Sequence, residues 1–416
     1  MRHSRLLGRQ RHISRITGLL SEADTPAREA FDGFLAELRD DLNDSITEQD
    51  AIEMLAQHII TRPVFQTLFE GHQFTDQNPV SRAMQQVLNV LDENRIDKES
   101  KDLEKFYESV KMRSHGITDP QAKQRLIVEL YDKFFRNAFP RTTEKLGIVY
   151  TPVEIVDFIL HSVNEMLQEH FGQTLGSRGV HIMDPFTGTG TFITRLLQSG
   201  LIAPEELEHK FRNEIHANEI VLLAYYIAAI NIEAVYHGVS NRDDYVPFEG
   251  ICLTDTFEMY ESDDLISHYM PDNSERRKRQ KEVDIRVIVG NPPYSSGQNS
   301  ANDNNANVGY PGLDGRIRDT YAARSTATNY MIATSGPFAG RLTASVMLVS
   351  SPTSATQGGW MATLRTGCVL VSKRNLLTST FSTSAETRGQ VASDGARRRA
   401  TCLEKAAERL SPSASL

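Results

Sequence analysis

Cysteine is scarce. Cys252, Cys368 and Cys402 are the only three in 416 residues and show no paired spacing, which excludes a disulfide framework and a cysteine-based zinc site. Such a chain suits a reducing compartment, and a bacterial cytoplasm is the simplest fit. No basic and apolar leader opens the sequence, and no apolar run reads as long enough for a bilayer, so no membrane partner is expected. An excess of positive charge is missing too. The formal net charge is -9, which speaks against a protein that coats nucleic acid everywhere and leaves room for local basic patches. Two stand out, "RHSRLLGRQRHISR" at 2–15 and "RRKRQK" at 276–281. Each reads first as a solvated charged face. No cluster of histidine, cysteine and acid marks a metal site.

The rest of the composition is ordinary for a folded chain. It is 39% apolar and 24% charged, and the length allows two or three domains with a real core. Residues 1–145 read as a helical domain. "AREAFDGFLAELRDDL" places Phe31, Phe34, Leu35 and Leu38 at helical spacing, and "DAIEMLAQHII" and "QRLIVELYDKFFRNAF" repeat the pattern. Pro63 should end or kink one helix. His58, His72 and His115 are scattered, and each reads as a surface or capped residue.

Residues 146–329 change character. "HIMDPF", "FITRLLQSGL", "NEIHANEI", "VLLAYYIAAINIEAVYHG", "GICLTDTF" and "DIRVIVGNPPY" alternate short apolar runs with helical segments. That order predicts an α/β fold, a parallel sheet with helices on both faces. In such sheets ligands bind at the carboxyl ends of the strands.

"MDPFTGTGTF" at 183–192 follows a strand and precedes a helix. Gly188 and Gly190 let the backbone bend and approach a ligand. A phosphate-cradling loop needs a lysine after its second glycine, and Thr191 and Phe192 stand there instead; Ile193 breaks the dinucleotide fingerprint. Asp184 at the strand end, beside a glycine turn, suits a ligand with a positive charge and an amino group, such as S-adenosylmethionine. The next strand ends "HANEI", with Glu219 placed to accept ribose hydroxyls. The one after ends "CLTDTF", with Asp255 placed to accept from an adenine amino group. Upstream, in "GIVYTPVEIVDFI" (147–159), Thr151 is a candidate helix cap, Pro152 fits a first turn, Glu154 is a favourable early acid and Tyr150 can cover a cofactor edge.

"IVGNPPYSSGQNS" at 288–300 then ends a β-branched strand with two prolines, which cannot extend a sheet ladder. A base's exocyclic amino group is a poor nucleophile because its lone pair is delocalised. Acceptors aimed at its hydrogens localise that pair and stabilise the charge that develops on transfer. Asn291 supplies a side-chain carbonyl, and the main-chain carbonyl of Pro292, stiffened by Pro293, supplies another. Tyr294 offers a face on which an extruded base can stack.

The order "GIVYTP", "DPFTGTGTF", "NEI", "LTDTF", "NPPY" resembles the gamma-type N6-adenine DNA methyltransferases, and is similar above all to the type ISP restriction-modification enzymes. In these one polypeptide joins a nuclease, a helicase-like ATPase, a helical coupler, an adenine methyltransferase and a target-recognition domain. "EMLAQHIITRPVFQTLFEGHQF" and "ELYDKFFRNAFPRTTEKLGIVYTP" resemble the coupler and its junction with the methyltransferase; "YPGLDGRIRDTYAARSTATN" resembles the stretch after the catalytic loop. The resemblance covers about residues 40–329 and implies a Rossmann-like sheet behind a helical domain, methylating adenine in double-stranded DNA with the base flipped out. It implies that Tyr150, Thr151, Asp184, Phe186, Gly188, Gly190, Glu219 and Asp255 line the S-adenosylmethionine site and that Asn291, Pro292, Pro293 and Tyr294 hold the target base. Nuclease and helicase motifs do not occur in these 416 residues, so such modules of the parent enzyme are possible partners. Two other readings stay open: a methyltransferase acting on protein glutamine or on RNA through the same loop, and an inactive fragment serving only as a helical interaction module.

Residues 330–416 differ again, rich in serine, threonine and arginine and poor in acids. One reading is a disordered extension. A sharper one is a shifted reading frame after Asn329: with permitted codons, "YMIATSGPFAG" re-reads as YDSYIRAFRWA and "SATQGGWM" as SNAGWLD, which look like continuations of the same family. On that reading the sheet lacks its later strands, leaves an edge open and gives a chain of poor stability and weak activity.

Overall fold

The computed structural model describes residues 2–22, 25–68, 77–91, 101–114, 151–240, 245–259, 268–291, 346–349 and 368–371. Among the described residues five helices come first: α1 (Arg2–Leu19), α2 (Pro26–Asp41), α3 (Glu48–Leu68), α4 (Pro79–Val90) and α5 (Lys101–Ser114). α2 shows why they form. Thr25 caps it, accepting from the Arg28 N–H at 3.1 Å, Pro26 sits in the first turn and Glu29 faces the positive end of the helix dipole. Its apolar stripe, Phe31, Phe34, Leu35 and Leu38, is buried as the spacing predicts. Of the two effects expected of Pro63, ending the helix does not occur: α3 runs on to Leu68, and tertiary burial of Val64 and Phe65 holds the turn that proline weakens.

The α/β part opens with α6 (Val153–Phe171) and continues β1 (His181–Asp184), α7 (Thr191–Gln198), α8 (Pro204–His209), a π-helical turn (Lys210–Glu214), β2 (Ile215–Glu219), α9 (Leu222–Ser240), β3 (Ile251–Leu253), α10 (Pro271–Glu282) and β4 (Ile285–Gly290). β5 (Val346–Val349) and β6 (Cys368–Val371) complete one sheet in the order β3-β2-β1-β4-β5-β6. The pairs among β1 to β4 are parallel, as the alternating pattern predicts. β5 departs from that pattern by pairing antiparallel to β4, with β6 parallel to β5. The tail therefore covers the edge of β4 that was expected to stay open: a short apolar segment satisfies a free ladder in either direction.

Two further expectations are corrected. α9 is long and apolar enough to cross a membrane by length and composition, and 78% of its span is buried inside the fold. It is apolar all round because neighbours surround it. His58 is no surface histidine: it is fully buried against α9, its Nδ1 3.0 Å from the Tyr226 hydroxyl, and burial lowers its pKa to about 3. His72 and His115 lie outside the described residues.

Helical and α/β regions share one hydrophobic core, running from Ile13 and Phe34 through Tyr225 and Tyr226 to Val287. Polar links cross it. Asn78 donates to the Tyr225 hydroxyl at 3.1 Å, and the Glu37 carboxylate accepts from the successive N–H groups of His268, Tyr269 and Met270. The basic run before β4 is not simply solvated. Arg276 and Arg277 of α10 are buried; Arg276 donates to the carbonyls of Phe248 and Ile251, and Arg277 pairs with Asp41 of α2.

Candidate functional site: a carboxylate-lined strand edge

β1, β2, β3 and β4 are neighbours, so their carboxyl ends meet on one edge. β1 delivers Asp184, followed by a tight turn in which Gly188 and Gly190 adopt positive φ (56° and 87°). A side chain at Gly190 would press on α9 at Ala228 and Ile232. The turn is pinned from three sides: Thr187 N–H to the Asn218 carbonyl (3.0 Å), Asn231 Nδ2 to the Thr189 carbonyl (3.0 Å), and Gly188 N–H to Glu219 Oε2 (2.7 Å). Glu219, at the end of β2, also accepts the Val221 N–H at 2.9 Å.

At the end of β3, Asp255 accepts the Phe257 N–H on Oδ1 and the Asn43 side-chain amide on Oδ2, both at 2.9 Å. Thr256 bridges to the first strand's loop, donating to the Pro185 carbonyl at 2.8 Å and accepting from Asn218 at 3.2 Å. The Phe186 and Phe257 rings consequently lie 5.4 Å apart.

β4 ends against β1. A Cβ at Gly290 would stand 2.7 Å from Asp184 Oδ1. The next residue, Asn291, is therefore set beside Asp184, and its Nδ2 donates to Thr151 Oγ1 at 3.0 Å. This corrects the expectation for Thr151. α6 has Pro152 as its N-cap with no side-chain cap bond; the helix starts one residue later, and the Thr151 hydroxyl serves Asn291 instead. A donor amide pinned there turns the Asn291 carbonyl oxygen away from Thr151.

Two carboxylates on this edge are electrostatically unusual. Asp184 is fully buried, its Oδ2 has no hydrogen-bond partner among the described residues, and burial raises its pKa to about 8. Burial likewise raises Glu219 to about 7, against the backbone N–H groups that pull it down. Acids held this way favour a cationic or hydroxyl-bearing neighbour that restores the contacts water supplied.

Thus Thr151, Asp184, Phe186, Gly188, Gly190, Glu219, Asp255 and Asn291 gather on one edge. Tyr150, Pro292, Pro293 and Tyr294 lie outside the described residues. Asn43 and Phe257 were not singled out from the sequence, and Gly290 reads there only as the end of a strand. Phe257 had a signal, an aromatic two residues past a strand-end acid; Asn43, over 200 positions away, had none.

Comparison with known proteins gives the same division. Residues 8–122 match the family model of the type ISP restriction-modification enzyme coupler domain, and residues 122–326 match the N-6 DNA methylase model. A solved nuclease-deletion mutant of the type ISP restriction-modification enzyme LlaGI, in complex with a DNA substrate mimic, is 48% identical with a TM-score of 0.73 over 79% of this chain and 27% of that one. The ATP-dependent type ISP enzyme LlaBIII bound to DNA gives 48% and 0.73, over 79% and 23%. A DrdV–DNA complex gives 37% and 0.70, over 79% and 31%. No curated protein matches. The chain spans about a quarter of the length of the LlaGI and LlaBIII chains. An N-6 DNA methylase domain implies a methyl donor. Residues 8–326 of this chain belong to the type ISP restriction-modification enzymes, as their coupler and N-6 DNA methylase regions.

Proposed function

We propose that this chain is the coupler and methyltransferase portion of a cytoplasmic restriction-modification enzyme that methylates N6 of adenine in double-stranded DNA, using S-adenosylmethionine. The observation that carries the reading is the abutment of Gly290 on Asp184, which sets Asn291 on the same edge as the glycine turn. The residues fit the cofactor: the unpartnered, buried Oδ2 of Asp184 suits its amino group, and the open space over Gly188 suits close approach. Glu219 would accept the ribose hydroxyls, Asp255 the adenine amino group, and Tyr150, Thr151, Phe186 and Gly190 would line the remainder. When bound, S-adenosylmethionine supplies a methyl group carried on a sulfonium.

The chain's own work is at the base. Asn291, oriented by Thr151, offers its carbonyl oxygen to the amino hydrogens, and Pro292, stiffened by Pro293, offers a second carbonyl. Both draw the nitrogen lone pair out of the ring's conjugation and take up charge as it develops. Tyr294 stacks on the base and replaces the stacking lost on flipping. The relatives solved with DNA support this substrate. Nuclease and helicase modules of the parent enzyme would be the protein partners.

The domain division belongs to the same reading: a helical coupler over 1–145, a methyltransferase over 146–329, and a tail over 330–416 translated from a shifted frame. The methylase match ends at residue 326, next to that boundary. The experiment incubates the chain, with its tail in the restored frame, with labelled S-adenosylmethionine and duplex DNA. Label is expected in N6-methyladenine and is lost in Asn291→Ala. Label in protein or RNA in place of DNA overturns the substrate assignment.

A further inference from the structure

We infer that Asn43 is a positioning residue for Asp255, and that through it the helical region sets how strictly the cofactor pocket selects a 6-aminopurine. The inference rests on the reading of Asp255 as the acceptor for the cofactor's adenine amino group. Asn43 and Asp255 are both buried, and Asn43 Nδ2 donates to Asp255 Oδ2 at 2.9 Å. The direction of that bond is fixed from behind. Asn43 Oδ1 accepts both the N–H and the hydroxyl of Ser45, at 3.1 and 2.5 Å, so the amide cannot flip without losing two bonds. The Phe257 N–H holds Oδ1 of Asp255 from one side. Asn43 holds the other oxygen, Oδ2, from a second direction.

The neighbouring chain is tied to the same place. Thr254 donates to the Asp41 carbonyl at 2.8 Å. Asn273 accepts the Leu253 N–H at 2.9 Å and donates to both Asp41 Oδ2 and the Leu253 carbonyl. Residues 253–255 are therefore clamped to the end of α2, directly or through one side chain. Part of the pocket's floor belongs to the helical region. Releasing Asn43 removes its bond to Asp255 Oδ2, and the carboxylate reorients toward its other donors. The acceptor for the 6-amino group is then misaligned, whereas the rest of the pocket is unchanged.

The test compares binding of S-adenosylhomocysteine with S-inosylhomocysteine, which carries a 6-oxo group, by calorimetry on the full chain. The wild type is expected to prefer the adenosyl compound by about tenfold or more. Asn43→Ala and the isosteric Asn43→Asp are expected to cut that ratio by about tenfold, through weaker adenosyl binding, with the inosyl affinity within about twofold of wild type. Ser45→Ala, which retains Asn43 and removes one of the two bonds that orient its amide, is expected to give a smaller cut and stands in if the Asn43 variants fail to fold. Folded variants that keep the wild-type ratio overturn the inference alone. A wild type that binds both compounds equally overturns the role given to Asp255, and the inference with it.

Discussion

Asp184 carries a cost that only a ligand removes. Its folded pKa, about 8, lies above the ordinary carboxylate value because burial disfavours the charge. Between those two values the folded state holds a proton that the unfolded chain has released. Its contribution to stability is therefore full in acid and is lost as pH rises towards about 8. Asp184→Asn removes that charge without changing shape. It should melt above the wild type at pH 8, roughly 2–4 °C for each kcal/mol recovered, with the gap narrowing as pH falls and closing only near the ordinary carboxylate value of 3.8, and it should no longer bind S-adenosylmethionine by calorimetry. Thr151 makes the complementary case. Thr151→Val keeps the shape and deletes the acceptor for Asn291, so turnover should fall about 10–100-fold, as for loss of one preorganised transition-state contact. Thr151→Ser should recover most of the rate; an equal loss in Ser and Val sinks the assignment. These residues differ in how readable they were. Asp184, Glu219 and Asp255 each end a β-branched or apolar run, so the strand pattern alone places them on the ligand edge. Thr151 looked like a cap because capping chemistry is local; its actual partner is 140 positions away and invisible to spacing. Gly290 looked like a strand terminator, when it is a close approach to Asp184 that requires it.

The elements that hold this edge are joined by charge as much as by apolar contact. Asp41 at the end of α2 takes bonds from Arg277, Asn273 and Ser274 of α10, all buried, and burial still lifts its pKa to about 6. A buried ion pair loses more when one member goes than it gains by existing. Arg277→Ala should therefore destabilise by about 3–5 kcal/mol, read as a lower melting midpoint in urea. The double variant Asp41→Leu with Arg277→Met should recover a large part, because no orphan charge remains. Failure of the double variant to exceed the single one would mean that the network, and not the isolated charge, dominates. At this scale the sequence was most legible where one periodicity ruled. The stripe of α2 and the strands at 181–184, 215–219, 251–253 and 285–290 come from it directly. α10 misled for a physical reason: a run of arginine and lysine has no periodic apolar face, and partners distant in sequence, Asp41 for Arg277 and the carbonyls of Phe248 and Ile251 for Arg276, turn part of it inward. α9 is longer and more apolar than the sequence reading allowed, since a helix enclosed by its own protein is as apolar as one enclosed by lipid.

Across the whole molecule, the parallel order β3-β2-β1-β4 is dictated by the βαβ pattern, whereas the antiparallel β5 is not. A right-handed crossover after β4 would return a strand parallel to it, so an antiparallel neighbour drawn from the tail breaks the alternating pattern of the strands before it. If the tail after Asn329 is a shifted frame, Val346–Val349 is a substitute that satisfies β4's ladder in place of the segment the restored frame would supply. Ladder bonds alone leave the apolar face of the sheet poorly covered. The frame-restored protein should then exceed the 416-residue chain in stability by several kcal/mol, a few per cent of the unfolding surface being enough to produce that difference. It should also show a larger urea m-value, because m scales with the area exposed on unfolding. The nucleotide sequence across codons 320–416 decides whether the comparison is warranted: a coding strand that cannot encode YDSYIRAFRWA and SNAGWLD in another frame removes the premise. With the premise intact, equal m-values for the two proteins would mean that the tail packs as a native segment does, and that β5 belongs to the fold in the direction observed.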